Sequence, residues 1–165
     1  MTGASTWSLQ ESDFHQIRAC LNGLLKEASA RCALLVDKAG QLLVNAGEEL
    51  SFDPAAFASL TAADFSANDQ LAKMIGEEEF ASLFHQGDKE SMYLADVAHR
   101  VILVVLFDQR TTVGMVRLKV KQAVAELTKI FDEMFARAET AGGAEQQAPG
   151  LLEGADDEID QLFGD

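Results

Sequence analysis

Val101 to Phe107 reads VILVVLF, seven apolar residues in a row closed by Asp108. Such a run, rich in β-branched side chains, suits a strand buried on both faces. A piece of buried helix shares that periodicity, but the shortness of the run and the polar DQRTT after it favour a strand. Thr111 or Thr112 then stands where a hydroxyl can accept from the free N–H groups of a helix's first turn. A central strand feeding a long amphipathic helix is the hub. The chain upstream must cover it.

Downstream of the hub, Val116, Val120, Val124, Leu127, Ile130, Phe131 and Met134 mark the buried face of a helix expected over Val113–Ala138, with Arg117, Lys119, Lys121, Lys129 and Arg137 on its other sides. Upstream, Phe80–Gln86 and Ser91–Val97 read as strands. Gly87-Asp88-Lys89 and His99-Arg100 are turns short enough for an antiparallel meander. Further upstream, Cys32–Val36 and Gln41–Asn45 form a hairpin around Asp37-Lys38-Ala39-Gly40, where Gly40 supplies a positive φ.

The first helix is signalled by capping-box spacing, Ser8 with Glu11. Phe14, Ile17, Leu21, Leu24, Leu25 and Ala28 follow at three and four residues. A second helix opens at Asp53-Pro54, runs to about Ile75 and stops at Gly76. On it Phe57, Leu60, Leu71 and Ile75 share a meridian, with Asp64 and Asn68 close by, a pairing an isolated core helix would not want. The opposite side carries Ser59, Ala62, Ala63, Ser66, Gln70 and Lys73. It is small and polar, a solvated face that would also let another backbone approach.

The 165 residues (17.8 kDa) suffice for one domain with a real core. No apolar run approaches the roughly 18–20 residues of a membrane span, and the opening MTGASTWSLQESD lacks the basic start and apolar core of a secretory signal. Cys20 and Cys32 are too few for a disulfide framework or a four-ligand zinc site and read as reduced, buried thiols. The net charge is −14. Residues 141–165 contribute seven acids and no base, leaving 20 acids against 13 bases in residues 1–140. That balance disfavours nucleic acid and anionic membrane surfaces and points to a protein partner.

No phosphate-binding glycine loop, dinucleotide fingerprint or nucleophile elbow is present in the sequence. His15, His85 and His99 lie on a helix, a strand and a turn, none at metal-ligand spacing, and Glu77-Glu78-Glu79 reads as a solvated loop. Arg100 and Arg110 flank the central strand; a projecting arginine can serve as a finger for a bound nucleotide triphosphatase. The expected organisation is an extension over 1–8, a domain over 9–140, a flexible linker over 141–155 and an acidic docking segment over 156–165. In that last segment Asp156, Asp157 and Glu158 suit a helix N-terminus, and Ile159, Leu162 and Phe163 form a small apolar face.

The order helix, strand, strand, helix, three strands, helix resembles the Roadblock/dynein light chain domain. So do LLVDKAGQLLVNAGE, ASLTAADFSANDQLAKMIGE and VILVVLFDQRTTVGMVRLKVKQA, the last with its F-D-x-R-T-[ST]-x-G-x-V-R-L run; the closing DDEIDQLF, outside the domain, resembles the tail carried by bacterial gliding-motility and polarity members of the family. The resemblance implies an α/β fold with a mostly antiparallel five-stranded sheet, the first and last helices on one face and the second on the other. It implies homodimers whose sheets join edge to edge with second helices side by side, a setting in which Asp64 and Asn68 would meet a partner helix or water. The implied partner is a small Ras-like GTPase of the MglA kind. It would be bound preferentially in its GTP form by two copies and accelerated by rearrangement of its own catalytic residues, in the service of cell polarity and motility. On this reading Ala63, Ser66, Gln70 and Lys73 form the contact stripe, and Ile159, Leu162 and Phe163 touch the GTPase elsewhere and modulate exchange. The resemblance implies no active site, cofactor or metal in the protein itself, and a cytoplasmic location concentrated at a cell pole. A passive scaffold that localises the GTPase is the rival reading. Asp69 and Gln70 stand where relatives often have small residues.

Overall fold

The computed structural model describes residues 9–147, and side chains as far as Ala141. Ser8, the stretch 148–155 and the segment with Ile159, Leu162 and Phe163 lie outside the described residues. Gln10–Phe131 form one compact unit; the stretch from Asp132 onward falls in a second. The element order is α1 (Glu11–Ala28), β1 (Cys32–Asp37), β2 (Leu42–Gly47), α2 (Pro54–Met74), β3 (Ser82–Gln86), β4 (Ser91–Val97), β5 (Val101–Phe107) and α3 (Val113–Gln147). The five strands make one sheet in the order β2-β1-β5-β4-β3, every pair antiparallel.

β5 is central, as its composition demands. Val101 to Val105 are almost wholly buried, and each such side chain contributes about 1.5–3 kcal/mol relative to exposure. Alternation of side chains divides the layers. Cys32, Leu34, Val36, Leu94, Ile102 and Val104 pack with Ala58, Ala62 and Phe65 of α2. Ala33, Leu35, Leu103 and Val105 point to the opposite face and are buried under α1 and α3.

Several elements are built differently from their sequence cues. The N-cap of α1 is Gln10, whose backbone N–H is accepted by the carboxylate of Asp13 at 3.1 Å; the capping box therefore falls two residues after Ser8. β3 begins at Ser82, not Phe80. α3 starts where Thr112 Oγ1 accepts from Met115 N at 3.2 Å. It then runs on to Gln147, past Ala138 and into the stretch expected as linker. AETA, AEQQ and their neighbours are good helix formers, and Gly142 and Gly143 together cost only about 2 kcal/mol.

The three-residue β4–β5 turn places Ala98 and His99 at φ 54° and 57°, the left-handed region that Ala tolerates poorly. His99 N–H donates to Asp96 Oδ2 at 3.0 Å, which holds the turn. Ala98→Gly should raise stability by about 0.5–1 kcal/mol, seen as a rise of a few degrees in the melting temperature. A fall would mean that the Ala98 methyl packs usefully.

Candidate partner-binding face on helix α2

Local chemistry fixes both ends of α2. Asp53 Oδ1 accepts from Ala55 N at 3.0 Å, and Pro54 occupies the first helical position. At the other end Gly76 takes φ 88°, Gly76 N donates to Lys73 O and Glu77 N to Ala72 O. That pair of bonds is a Schellman stop.

Between these ends the helix has a small buried face: Ala58, Thr61, Ala62, Phe65, Asn68 and Ala72. This corrects the sequence reading in two ways. Ala62, grouped there with the solvated side, is 8% exposed and packs on the sheet. Leu60, Leu71 and Ile75 do not face the sheet; they are 71%, 56% and 71% exposed, and Met74 is 82% exposed. Alanine lets the backbone of α2 lie close to β1 and β2, so the large side chains turn outward.

Two contacts orient the exposed arc. His85 Nε2 on β3 lies 2.7 Å from Asp64 Oδ2, so the flank bearing Asp64, Leu60, Leu71 and Ile75 looks toward β3, an edge strand bonded only to β4. On the other flank the Ser59 hydroxyl reaches the Gly40 carbonyl in the β1–β2 turn at 3.5 Å. The approach there is close: a Cβ on Gly40 would meet Ser59 Cα at 3.1 Å. Ser66 and Lys73 share that flank. Ala63 and Gln70 lie on the crest with Ala56, Ala67 and Met74, facing away from the sheet. All four stripe residues are exposed. The structure thus keeps them on one helix surface, split between crest and flank. Asp64 is held by His85, and Asn68, 7% exposed, points at the sheet.

β3 itself is largely exposed, from Ser82 to Gln86. Sequence reasoning grouped Leu60, Leu71 and Ile75 on one meridian but missed that this flank is exposed beside the edge strand. Its signal was the clustering of Leu60, Leu71 and Ile75 on the side of Asp64, opposite Ala58, Ala62 and Ala72.

At the end of the sheet where α2 begins, ion pairs run in a chain from Asp108 to Arg110, Glu48, Arg31 and Glu90. Arg110 Nε lies 3.0 Å from Asp108 Oδ1, Arg110 Nη2 3.0 Å from Glu48 Oε1, and Arg31 Nε 2.8 Å from Glu48 Oε2. Arg31 also pairs with Glu90. Arg110 thus links the loop after β5 to the loop after β2. Hydrogen bonds from Arg31 and then Arg110 hold Glu48 below the ordinary glutamate range, and those from Arg110 do the same for Asp108. Depressed carboxylates contribute stability above their unfolded pKa values and lose it as pH falls through the folded ones. The difference in stability between the protein and Arg110→Ala should accordingly shrink as pH drops from about 5 to below 3, measured by urea melts. A difference constant over that range would remove the network from the acid response.

Burial pushes the thiols up, to about 12 for Cys20 and about 11 for Cys32, so neither is a ready nucleophile. Among the described residues no group of three His, Cys, Asp or Glu is placed to hold a metal, and no helix is long and apolar enough to cross a membrane.

The topology is one antiparallel five-stranded sheet with α2 exposed beside its β3 edge, and the sequence profile of the Roadblock/LC7 domain matches residues 17–107. The chain belongs to the Roadblock/LC7 family. Among solved structures it is similar to Myxococcus xanthus MglB, with 47% identity over 77% of this chain and 96% of that one, TM-score 0.72. It is also similar to the gliding protein MglB of Thermus thermophilus, at 29% identity over 78% and 97%, TM-score 0.73. A Roadblock/LC7 domain from Streptomyces avermitilis shares the fold at 13% identity, covering 69% and 96%, TM-score 0.63. No curated protein matches.

Proposed function

We propose that this protein is a homodimeric activator of an MglA-like, Ras-type small GTPase, acting in the cytoplasm at a cell pole in polarity and motility. The observation that carries the reading is the outward arc of α2 in a chain 47% identical to an MglB. The β3 edge and the flank of Leu60, Leu71 and Ile75 face the same way, so one second copy could extend the sheet and bury the flank together. Two crests would then lie side by side as a platform of Ala63 and Gln70, bordered by Ser66 and Lys73. One GTPase, preferentially GTP-bound, would sit on it. Binding that conformation more tightly couples association to nucleotide state. Acceleration requires in addition that the complex favour the transition state of phosphoryl transfer. The segment with Ile159, Leu162 and Phe163 would reach the GTPase outside this platform and modulate exchange.

Arg110 is engaged by Asp108 and Glu48, and on this reading the catalytic groups belong to the GTPase, with neither Arg110 nor Arg100 acting as a finger. Arg110→Ala should leave the acceleration within a few-fold, and Arg100→Ala likewise. A loss near the 10³-fold typical of arginine fingers would overturn that assignment. The activity itself is tested by single-turnover GTP hydrolysis with and without saturating protein. A large rate increase supports an activator, binding without increase supports the scaffold, and no binding in either nucleotide state removes the proposal.

A further inference from the structure

The chain has three histidines, and their settings differ. His15 pairs with Glu11 at 3.7 Å on the outside of α1, and His99 pairs with Glu79 and Asp96 at 3.4 and 3.3 Å in the β4–β5 turn. Those two side chains are 71% and 73% exposed. His85 is placed otherwise. It stands on the edge strand β3, 2.7 Å from Asp64, with the two side chains 45% and 38% exposed. Asp64 belongs to the flank of α2 that carries Leu60, Leu71 and Ile75. The pair therefore bridges the two features that a second copy would cover together, the strand edge and the apolar flank.

Among the described residues, the other charged groups around this pair are few. One turn either way along α2 from Asp64 stand Leu60, Thr61, Ala67 and Asn68, all uncharged. On β4 Met92 is opposite His85, with Leu94 and Glu90 on the diagonals. Glu90 is already taken by Arg31. Leu83 is the neighbour on the same face of β3, and the turn beyond brings Asp88 and Lys89, opposite in sign. The charge on the His85 ring thus decides the net charge of the spot.

We infer that the His85–Asp64 pair makes assembly of the homodimer pH-dependent, the dimer tightening as His85 takes up a proton. This rests on the dimer reading above and adds a means of regulating it. A second copy laid over the pair strips water from it. With His85 neutral, the covered group is a carboxylate with a net charge, which is costly to remove from water. With His85 protonated, it is a neutral ion pair joined by a charge-assisted bond, and the cost falls. Two-fold symmetry repeats the pair, so the difference counts twice. Imidazole changes its charge between about pH 5 and 8, which sets the window. Binding and protonation are reciprocal, so forming the dimer draws protons from solution.

The test is sedimentation equilibrium of the full chain alone, in steps from about pH 8 to about pH 6. The dissociation constant should fall about tenfold, equivalent to about 1.4 kcal/mol over the two pairs. His85→Gln should still dimerise, with a constant that no longer follows pH. Asp64→Asn should reverse the sign: its protonated His85 would be covered without a carboxylate, so acid weakens the dimer. Both positions are partly exposed, and thermal melts at each pH verify that the variants fold. A dimer indifferent to pH, or one weakened by acid in the unaltered chain, would overturn the inference and leave the dimer standing. A full pH response retained in His85→Gln would overturn it too, moving the effect to His15, His99 or the overall charge. Single chains at every pH would instead overturn the dimer reading, and the inference with it.

Discussion

Ala63→Arg combined with Gln70→Arg should weaken binding of the GTP-loaded GTPase by a factor on the order of 100 and leave the fold untouched. Both residues lie on the crest of α2 and are exposed, so neither longer side chain disturbs the sheet below. The loss comes from geometry. A methyl at Ala63 lets an approaching backbone come within van der Waals distance, whereas a guanidinium on its three-carbon stem holds it off. The surrounding contacts open to water, and a central position matters more than a rim one. A hundredfold loss corresponds to about 2.7 kcal/mol, a modest demand for two substitutions at the middle of an interface. Titration calorimetry against the GTPase, with a thermal melt alongside, reads both halves of the expectation. Unchanged affinity would move the docking surface off α2.

The second large effect concerns the assembly. Leu71→Glu with Ile75→Glu should convert the proposed dimer to single chains at micromolar concentration, followed by sedimentation equilibrium. Both side chains stand more than half exposed on the flank that faces the β3 edge. In a two-fold interface each substitution counts twice, so four buried apolar groups become four carboxylates. Burying one Leu or Ile is worth about 1.5–3 kcal/mol, and a buried unpaired carboxylate neutralises or is expelled. Stimulation of GTP hydrolysis should fall with the dimer, because a single crest offers half a platform. A variant that stayed dimeric would place the interface elsewhere, with β2 the other available edge.

The two predictions differ in how far the sequence supports them. The α2 boundaries were legible, because Asp53-Pro54 and Gly76 have one conformational meaning each. The central strand was legible too, since no surface strand tolerates VILVVLF. The exposure of Leu60, Leu71 and Ile75 was not. Hydrophobicity ranks leucine above alanine, yet on α2 the alanines face the sheet because the space between helix and strands is thin. Periodicity locates two faces of a helix without saying which one the sheet takes. The His85–Asp64 contact was equally hidden. It joins residues 21 positions apart whose only link in the sequence is opposite charge preference. The helical continuation to Gln147 was obscured by Gly142 and Gly143, which read as a linker although the residues around them favour helix.

The pairing of β1 with β5 has a kinetic consequence. Every other strand contact joins neighbours in the chain: β1 with β2, β3 with β4, β4 with β5. These are hairpins that close over a few residues within microseconds. Cys32, by contrast, meets Leu106 across 74 positions, and that closure must be paid in chain entropy before its contacts form. The hairpin and the meander are therefore expected to assemble as separate pieces, with the β1–β5 seam as the slow, committing step. Mutations that weaken the seam, such as Leu34→Ala or Val104→Ala, should slow folding, whereas changes at the β4–β5 turn or on the arc of α2 should act mainly through other rates. A stopped-flow chevron would separate the two classes. The surface proposed for partners would then lie outside the folding nucleus, free to change in specificity without altering how the chain reaches its native state.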